Sequence, residues 1–213
     1  MLRFVSFGIF TFEEKGMKKE TIENGCNYQE YRSLVSSLIL DGKTTGTKQT
    51  PELVEFTKLN EQRSNRNEKQ FVLSEELNSL FKNKSFKEYW VVFVEAWCGD
   101  CAQNLPAIYN IAKNAPGVEL KIIIKSENLE EMHNYLTNAA ESIPKLVRVD
   151  KDTFSELGSW GSRPANAQAI AEHWKLNKET ISKEDFEKEL HLWYAKNRSH
   201  DIQQEFWEML TRD

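Results

Sequence analysis

The stretch "VEAWCGDCAQNLP", residues 94–106, carries two of the chain's three cysteines, Cys98 and Cys101, two residues apart. That spacing suits a redox pair, half of a metal site, or two thiols near each other by chance, so the flanks decide. Upstream, "FKEYWVVFVEAW" (86–97) is a β-branched and aromatic run with Lys87 and Glu88 at its start, the pattern of a strand buried on both faces. Downstream, "AQNLPAIYNIAKNAPG" (102–117) sets Leu105, Ile108, Tyr109 and Ile111 on one helical face and stops at Pro116-Gly117. A strand ending directly in a helix puts Cys98 near the helix cap and Cys101 about one turn further in. The helix dipole and the unpaired N–H groups of the first turn favour a thiolate there. Cys98 is then the attacking sulfur, and Cys101 stands where it can attack the mixed disulfide that Cys98 forms. A zinc site would need further ligands. No second Cys-x-x-Cys is present, and His133, His173, His191 and His200 are scattered.

Further along, "VELKIIIK" (118–125) reads as a second buried strand and "SENLEEMHNYLTN" (126–138) as an imperfectly started helix. "KLVRVD" (145–150) is a third strand, turning at "DKDT" and returning as "FSELGSW" (154–160). A parallel crossover feeding an antiparallel hairpin makes an α/β sandwich with a mixed sheet. Two helices are expected ahead of it: "YQEYRSLVSSLIL" (28–40), then, after the Gly/Thr/Lys loop 41–50, a helix opened by Pro51 with Leu53, Phe56 and Leu59 on one side. Three follow it: one begun by Pro164 and running through Trp174, one capped by "SKED" (182–185), and the amphipathic "IQQEFWEML" (202–210). Trp174, Trp193 and Trp207 read as packing residues of these helices.

"WCGDC" resembles the thioredoxin motif, and two further features strengthen the likeness. Pro106 lies where thioredoxins have the proline that kinks the active-site helix, and "SIPKLVRVD" (142–150) looks like the segment whose cis-proline faces the dithiol. The resemblance covers about residues 70 to 160. It implies a thioredoxin-like three-layer α/β sandwich with a mixed central sheet and helical extensions at both ends. The expected division is 1–16 as an upstream extension or disordered N-terminus, 17–69 as a helical extension, 70–163 as the thioredoxin-like domain, and 164–213 as helices packed on it. It also implies a thiol-disulfide oxidoreductase, in which Cys98 attacks and Cys101 resolves, with Pro144 in cis after Ile143. Trp97, Gly99, Asp100, Ile143 and Pro144 would shape the contact with an extended substrate. Gly158 would take the place of a family glycine beside the site. In "GSWGSRP" (158–164), Trp160 and Arg163 would line a groove beside Pro144, with Arg163 open to a carboxylate or phosphate on the partner.

Two departures matter. Asp100 stands where many thioredoxins have proline, placing a negative charge that opposes a thiolate at Cys98. The buried acid that assists the resolving cysteine in thioredoxins aligns with Val92, which accepts no proton; Glu95 and Lys125 are the remaining candidates, and strand alternation puts Glu95 on the face opposite Val92.

The totals agree with this reading. Apolar residues make up 39% and charged residues 29% of 213 residues, enough for a core with a wet surface. The longest wholly apolar stretches, such as Val91 to Val94, are far short of a membrane span. A net charge of -5 gives no basic surface for nucleic acid. Three cysteines, an odd number with one close pair, suit the reducing cytoplasm. "MLRFVSFGIFTFEEKG" (1–16) leaves open an exported reductase, while Met17 would serve as an alternative start. No bound cofactor or metal is expected. The partners are disulfide-containing proteins and a cellular thiol reductant or reductase, with a homodimer through the added helices among the expectations. The competing function is a non-catalytic protein-binding module on the same scaffold.

Overall fold

The computed structural model describes residues 16–212; the expectation for residues 1 to 16 falls outside them, Gly16 excepted. Four helices, not two, precede the sheet: α1 (Lys19–Asn24), α2 (Tyr28–Leu40), α3 (Pro51–Gln70) and α4 (Glu75–Asn83). The starts of the last three are chemically marked. Asn27 and Glu30 close a reciprocal capping box on α2, Thr50 caps α3 ahead of Pro51, and Ser74 accepts from the Leu77 N–H to begin α4. α4 departs from the two expected helices, and Leu77 and Phe81 bury one face of it.

The sheet has strand order β2-β1-β3-β4, made of β1 (Glu88–Val94), β2 (Val118–Ile124), β3 (Lys145–Asp150) and β4 (Glu156–Gly161). β1 runs parallel to β2 and antiparallel to β3, which pairs antiparallel with β4. Side chains alternate between the two faces of a strand, and every residue of β1 except Tyr89 is buried, so helices cover both faces. The mixed α/β sandwich is therefore as expected. α5 (Gly99–Asn114) makes the crossover from β1 to β2. The anticipated helix over 126–138 is broken: α6 (Leu129–Met132) sits between two 3-10 turns, and Asn128 before it is non-helical (φ -135°, ψ 42°) with no side-chain cap.

After the sheet come α7 (Ala165–Leu176), α8 (Lys183–Asn197) and α9 (His200–Thr211). One core runs from Met17 and Ile22 through the sheet to Ile202, Phe206 and Leu210, so segments ahead of residue 70 and beyond 164 bury side chains in the same cluster as β1. Phe206 packs edge-on against Trp90 and Trp160, at 5.4 and 5.6 Å between ring centres. Trp207, expected to pack, is 39% exposed, because its neighbour Phe206 takes the inward position on α9. α7 and α8 bury a smaller cluster of their own, where Trp174 stacks on Phe186.

Two features finish the sheet. Cys26 bridges to Ile122 on the outer edge of β2, exchanging backbone hydrogen bonds of 3.0 and 2.8 Å, which occupies part of an edge that would otherwise be open to pairing. Its sulfur donates to the Ile122 carbonyl. Between β1 and β3, the buried Arg148 grips both oxygens of Glu88 at 2.9 and 2.8 Å, and Trp90 Nε1 donates to the same carboxylate.

Candidate active site

β1 delivers the chain through Glu95, Ala96 and Trp97 to Cys98, which N-caps α5 with extended backbone (φ -80°, ψ 119°). The Cys98 thiol donates to the Ile143 carbonyl at 3.6 Å, and the peptide that follows, Ile143–Pro144, is cis. Gly161 of β4 lies against Pro144: a Cβ there would stand 2.2 Å from the Pro144 carbonyl oxygen, and its φ of +128° disfavours other residues. The close approach beside the proline thus belongs to Gly161. Gly158, expected in that role, lies near Arg148.

The two sulfurs are unequal. Cys98 is half-buried, whereas Cys101 is 2% exposed, so only Cys98 is within reach of a substrate. Burial raises the Cys101 thiol well above its ordinary range, and the hydrogen bond and charge of Cys98 add to this. Cys98 is the accessible sulfur and Cys101 the protected one.

Asp100 is also turned inward. It is 8% exposed, stands 2.5 Å from Arg163 Nη2 and accepts from the Tyr194 hydroxyl at 2.9 Å. Burial raises its pKa, and Arg163 and then Tyr194 hold it back. Arg163 therefore spends its charge on Asp100 inside the chain rather than standing open to a partner, and the charge of Asp100 near Cys98 is largely compensated. Trp160 is likewise inward, donating from Nε1 to Glu205 at 2.6 Å. Ile143 and Pro144 are buried beside Cys98, while Trp97 and Gly99 are half-exposed.

Segments ahead of the sheet hold the dithiol's approach in place. The Ala96 N–H donates to Thr45 Oγ1 at 2.9 Å, and the Ala96 carbonyl accepts from Asn60 Nδ2 at 3.0 Å. Glu95 is fully buried, accepting from the Thr45 hydroxyl and the Ser126 N–H. It shares with Tyr31, Asn60 and Cys101 the wall of a cavity of about 20 Å³. Lys125 pairs instead with Glu141 at 2.9 Å.

Pro106 has no N–H to give the carbonyl four residues back. That carbonyl, on Ala102, accepts from Asn67 Nδ2 at 3.2 Å and Ser64 Oγ at 3.5 Å, both on α3. Gln103 continues the link, accepting from Asn67 at 2.8 Å and bonding His191 Nδ1 of α8 at 3.0 Å. Sequence reading did not find Thr45, Asn60, Asn67, His191 or Tyr194. For α3 a signal exists: Asn60, Ser64 and Asn67 fall at helical spacing, a polar stripe beside the apolar one.

Between α3 and α8 opens a cleft of about 690 Å³ with Trp97, Cys98, Gly99 and Asp100 in its lining. No group of three or more metal-binding side chains occurs among the described residues, and no helix among them is long and apolar enough to cross a membrane.

Comparison with known proteins agrees with the fold. A family model described as "Thioredoxin" matches residues 46–175. A solved protein of unknown function from Pseudomonas aeruginosa superposes with a TM-score of 0.57 at 17% identity, covering 92% of this chain and 97% of its own. An HIV epitope-scaffold structure gives 0.51 at 19% identity, covering 84% and 98%. No curated protein matches the sequence.

Proposed function

The chain belongs to the thioredoxin family, and we propose that it reduces disulfides by dithiol-disulfide exchange through Cys98 and Cys101. One observation carries the reading: a half-buried sulfur at the α5 cap, 3.6 Å from the carbonyl that precedes Pro144, with a second sulfur buried one turn behind it.

In this mechanism the Cys98 thiolate attacks one sulfur of the substrate disulfide. The substrate S–S bond breaks, one substrate sulfur leaves and takes up a proton, and Cys98 is left in a mixed disulfide. Cys101 then gives up its proton and attacks the Cys98 sulfur. The second substrate thiol departs, and the two electrons given to the substrate leave a Cys98–Cys101 disulfide. Burial favours a protonated Cys101 before the first step, so Cys98 is the sulfur that attacks the substrate. A dithiol reductant or a reductase restores the pair. Trp97, Gly99, Ile143 and Pro144 frame the approach to Cys98. Asp100 and Arg163 fix the first turn of α5, and Trp160 anchors α9, so these three act on the site's shape. We place the protein in the cytoplasm, on the strength of its cysteine usage.

The test is reduction of insulin by dithiothreitol, followed by turbidity, for wild type and Cys98→Ser, beside titration of the pair in a redox buffer. Activity lost in the variant, with a reversible two-electron couple in wild type, is expected. A dithiol that never cycles would leave a binding module on a thioredoxin scaffold.

A further inference from the structure

Cys98 does not lie on an open face. The cleft that reaches it has Leu53 and Phe56 of α3 on one side and Phe186 and Leu190 of α8 on the other. Its volume of about 690 Å³ falls in the range of small-molecule sites, which suits a peptide-sized substrate better than the flat surface of a folded protein.

The charges in the cleft are mostly matched. Lys188 pairs with Glu184 at 2.7 Å, Lys183 with Glu187 at 3.4 Å, and Arg163 with Asp100. Lys48 and Glu52 are exposed, one of each sign. Arg63 is left over. It is half-buried, makes no ion pair among the described residues, and donates only to the neutral Asn60 Oδ1 at 2.9 Å. Its Nη1 would stand 3.5 Å from a Cβ on Gly99, the residue after Cys98. Arg66, one turn along α3, repels it, while Glu187 of α8 and Asp100 attract it without an ion pair, being engaged by Lys183 and Arg163. His191, at the same spot, is held neutral at pH 7 and adds no charge. A half-buried guanidinium with no anion in contact is costly, and its planar fork matches a carboxylate in two hydrogen bonds.

We infer that this cleft takes peptide-sized disulfides bearing a carboxylate close to the reacting sulfur, with Arg63 as the group that binds the carboxylate. The inference rests on the oxidoreductase reading of Cys98 and adds its substrate class. The exchange is that of the two-step mechanism: the disulfide gains two electrons and two protons and leaves as two thiols, and Cys98 and Cys101 become the disulfide.

Three small disulfides of different charge test it: dithiodipropionate (anionic), hydroxyethyl disulfide (neutral) and cystamine (cationic). The reduced protein is mixed with each in stopped flow, and each rate is divided by the rate for free dithiothreitol, which removes the probe's intrinsic reactivity. The normalised rate for dithiodipropionate should exceed that for hydroxyethyl disulfide about tenfold, with cystamine slowest, a ratio suited to one charge-assisted contact. Arg63→Gln should bring the ratio close to one, Arg63→Lys should keep part of it, and added salt should shrink it in wild type. A wild-type ratio near one, or a ratio that survives in Arg63→Gln, overturns the inference and leaves the oxidoreductase reading intact. Failure of all three probes to oxidise Cys98 overturns the oxidoreductase reading itself. If Arg63→Gln does not fold, a wild-type ratio unmoved by salt and equal in Arg63→Lys overturns the anchor.

Discussion

Arg163 Nη2 stands 2.5 Å from Asp100 Oδ2, two positions beyond Cys98, and ties the chain after β4 to the first turn of α5. Removing one member of a buried pair strands the other. Arg163→Met should therefore cost about 3 kcal/mol at pH 8. Burial already raises the Asp100 pKa, and Arg163 is the largest influence holding it down, so the variant's Asp100 climbs further. An acid whose folded pKa lies above its unfolded value binds its proton more tightly when folded, and its penalty fades as pH falls. Urea unfolding at pH 5 should show a smaller loss than at pH 8. Equal losses would mean that Asp100 is not the stranded charge.

The unequal sulfurs predict unequal chemistry. In a Cys26→Ser background, iodoacetamide at pH 7 should label Cys98, and Cys101 only after unfolding, because a buried, protonated thiol is a poor nucleophile. Adding Cys98→Ser should slow labelling by about a hundredfold. Rapid labelling of Cys101 in the folded protein would refute the assignment of resolving sulfur.

Asn67 and Pro106 should be energetically coupled through the Ala102 carbonyl. Asn67→Leu should cost about 1–2 kcal/mol in wild type, since the acceptor it leaves is partly buried. With Pro106→Ala, the restored helix N–H can satisfy that carbonyl, and the same change should cost less. A double-mutant cycle should give a coupling of about 0.5–1 kcal/mol. Strict additivity would show that the proline's vacated acceptor is not what α3 grips.

His191 predicts acid sensitivity. Burial, then Arg63 and Arg66, lower its pKa to about 4. A base whose folded pKa is depressed contributes stability above its unfolded value, near 6.5, and that stability is lost as pH falls toward 4. The half-buried ring limits the effect to about 1–2 kcal/mol after solvent screening. His191→Gln, which can still bond Gln103, should flatten the stability curve between pH 6.5 and 4. An unchanged slope would mean that other groups dominate there.

The parts of the fold that could be read in the sequence were those with a one-dimensional signature. β1 announces itself because a strand buried on both faces is a nearly continuous apolar run; β2, expected to be buried, is so only over Ile122, Ile123 and Ile124, and β3 shows itself through Leu146, Val147 and Val149 ahead of a turn. α5 does so because its apolar stripe follows directly on the cysteine pair. α4 carries a fainter signature in Ser74, Leu77 and Phe81, short beside the strand that follows. The partners of the site had no such signature. Arg163 looks free in sequence because its carboxylate lies in a different element, and Gly158 and Gly161 differ only in which one the β3–β4 register sets against Pro144. His191 is one histidine among four until α8 folds over Gly99.

α5 is fastened on both flanks within its first two turns: Asn60, Ser64 and Asn67 hold it and the preceding Ala96 from α3, and His191 and Tyr194 hold it from α8. The same two helices are the banks of the cleft. Their separation is therefore dictated by the thickness of the helix they share, as a caliper is set by the block between its jaws. Such a mouth measures what enters. It would favour slender disulfides over bulky ones, and widening it would mean unfastening the helix that carries the reactive sulfur.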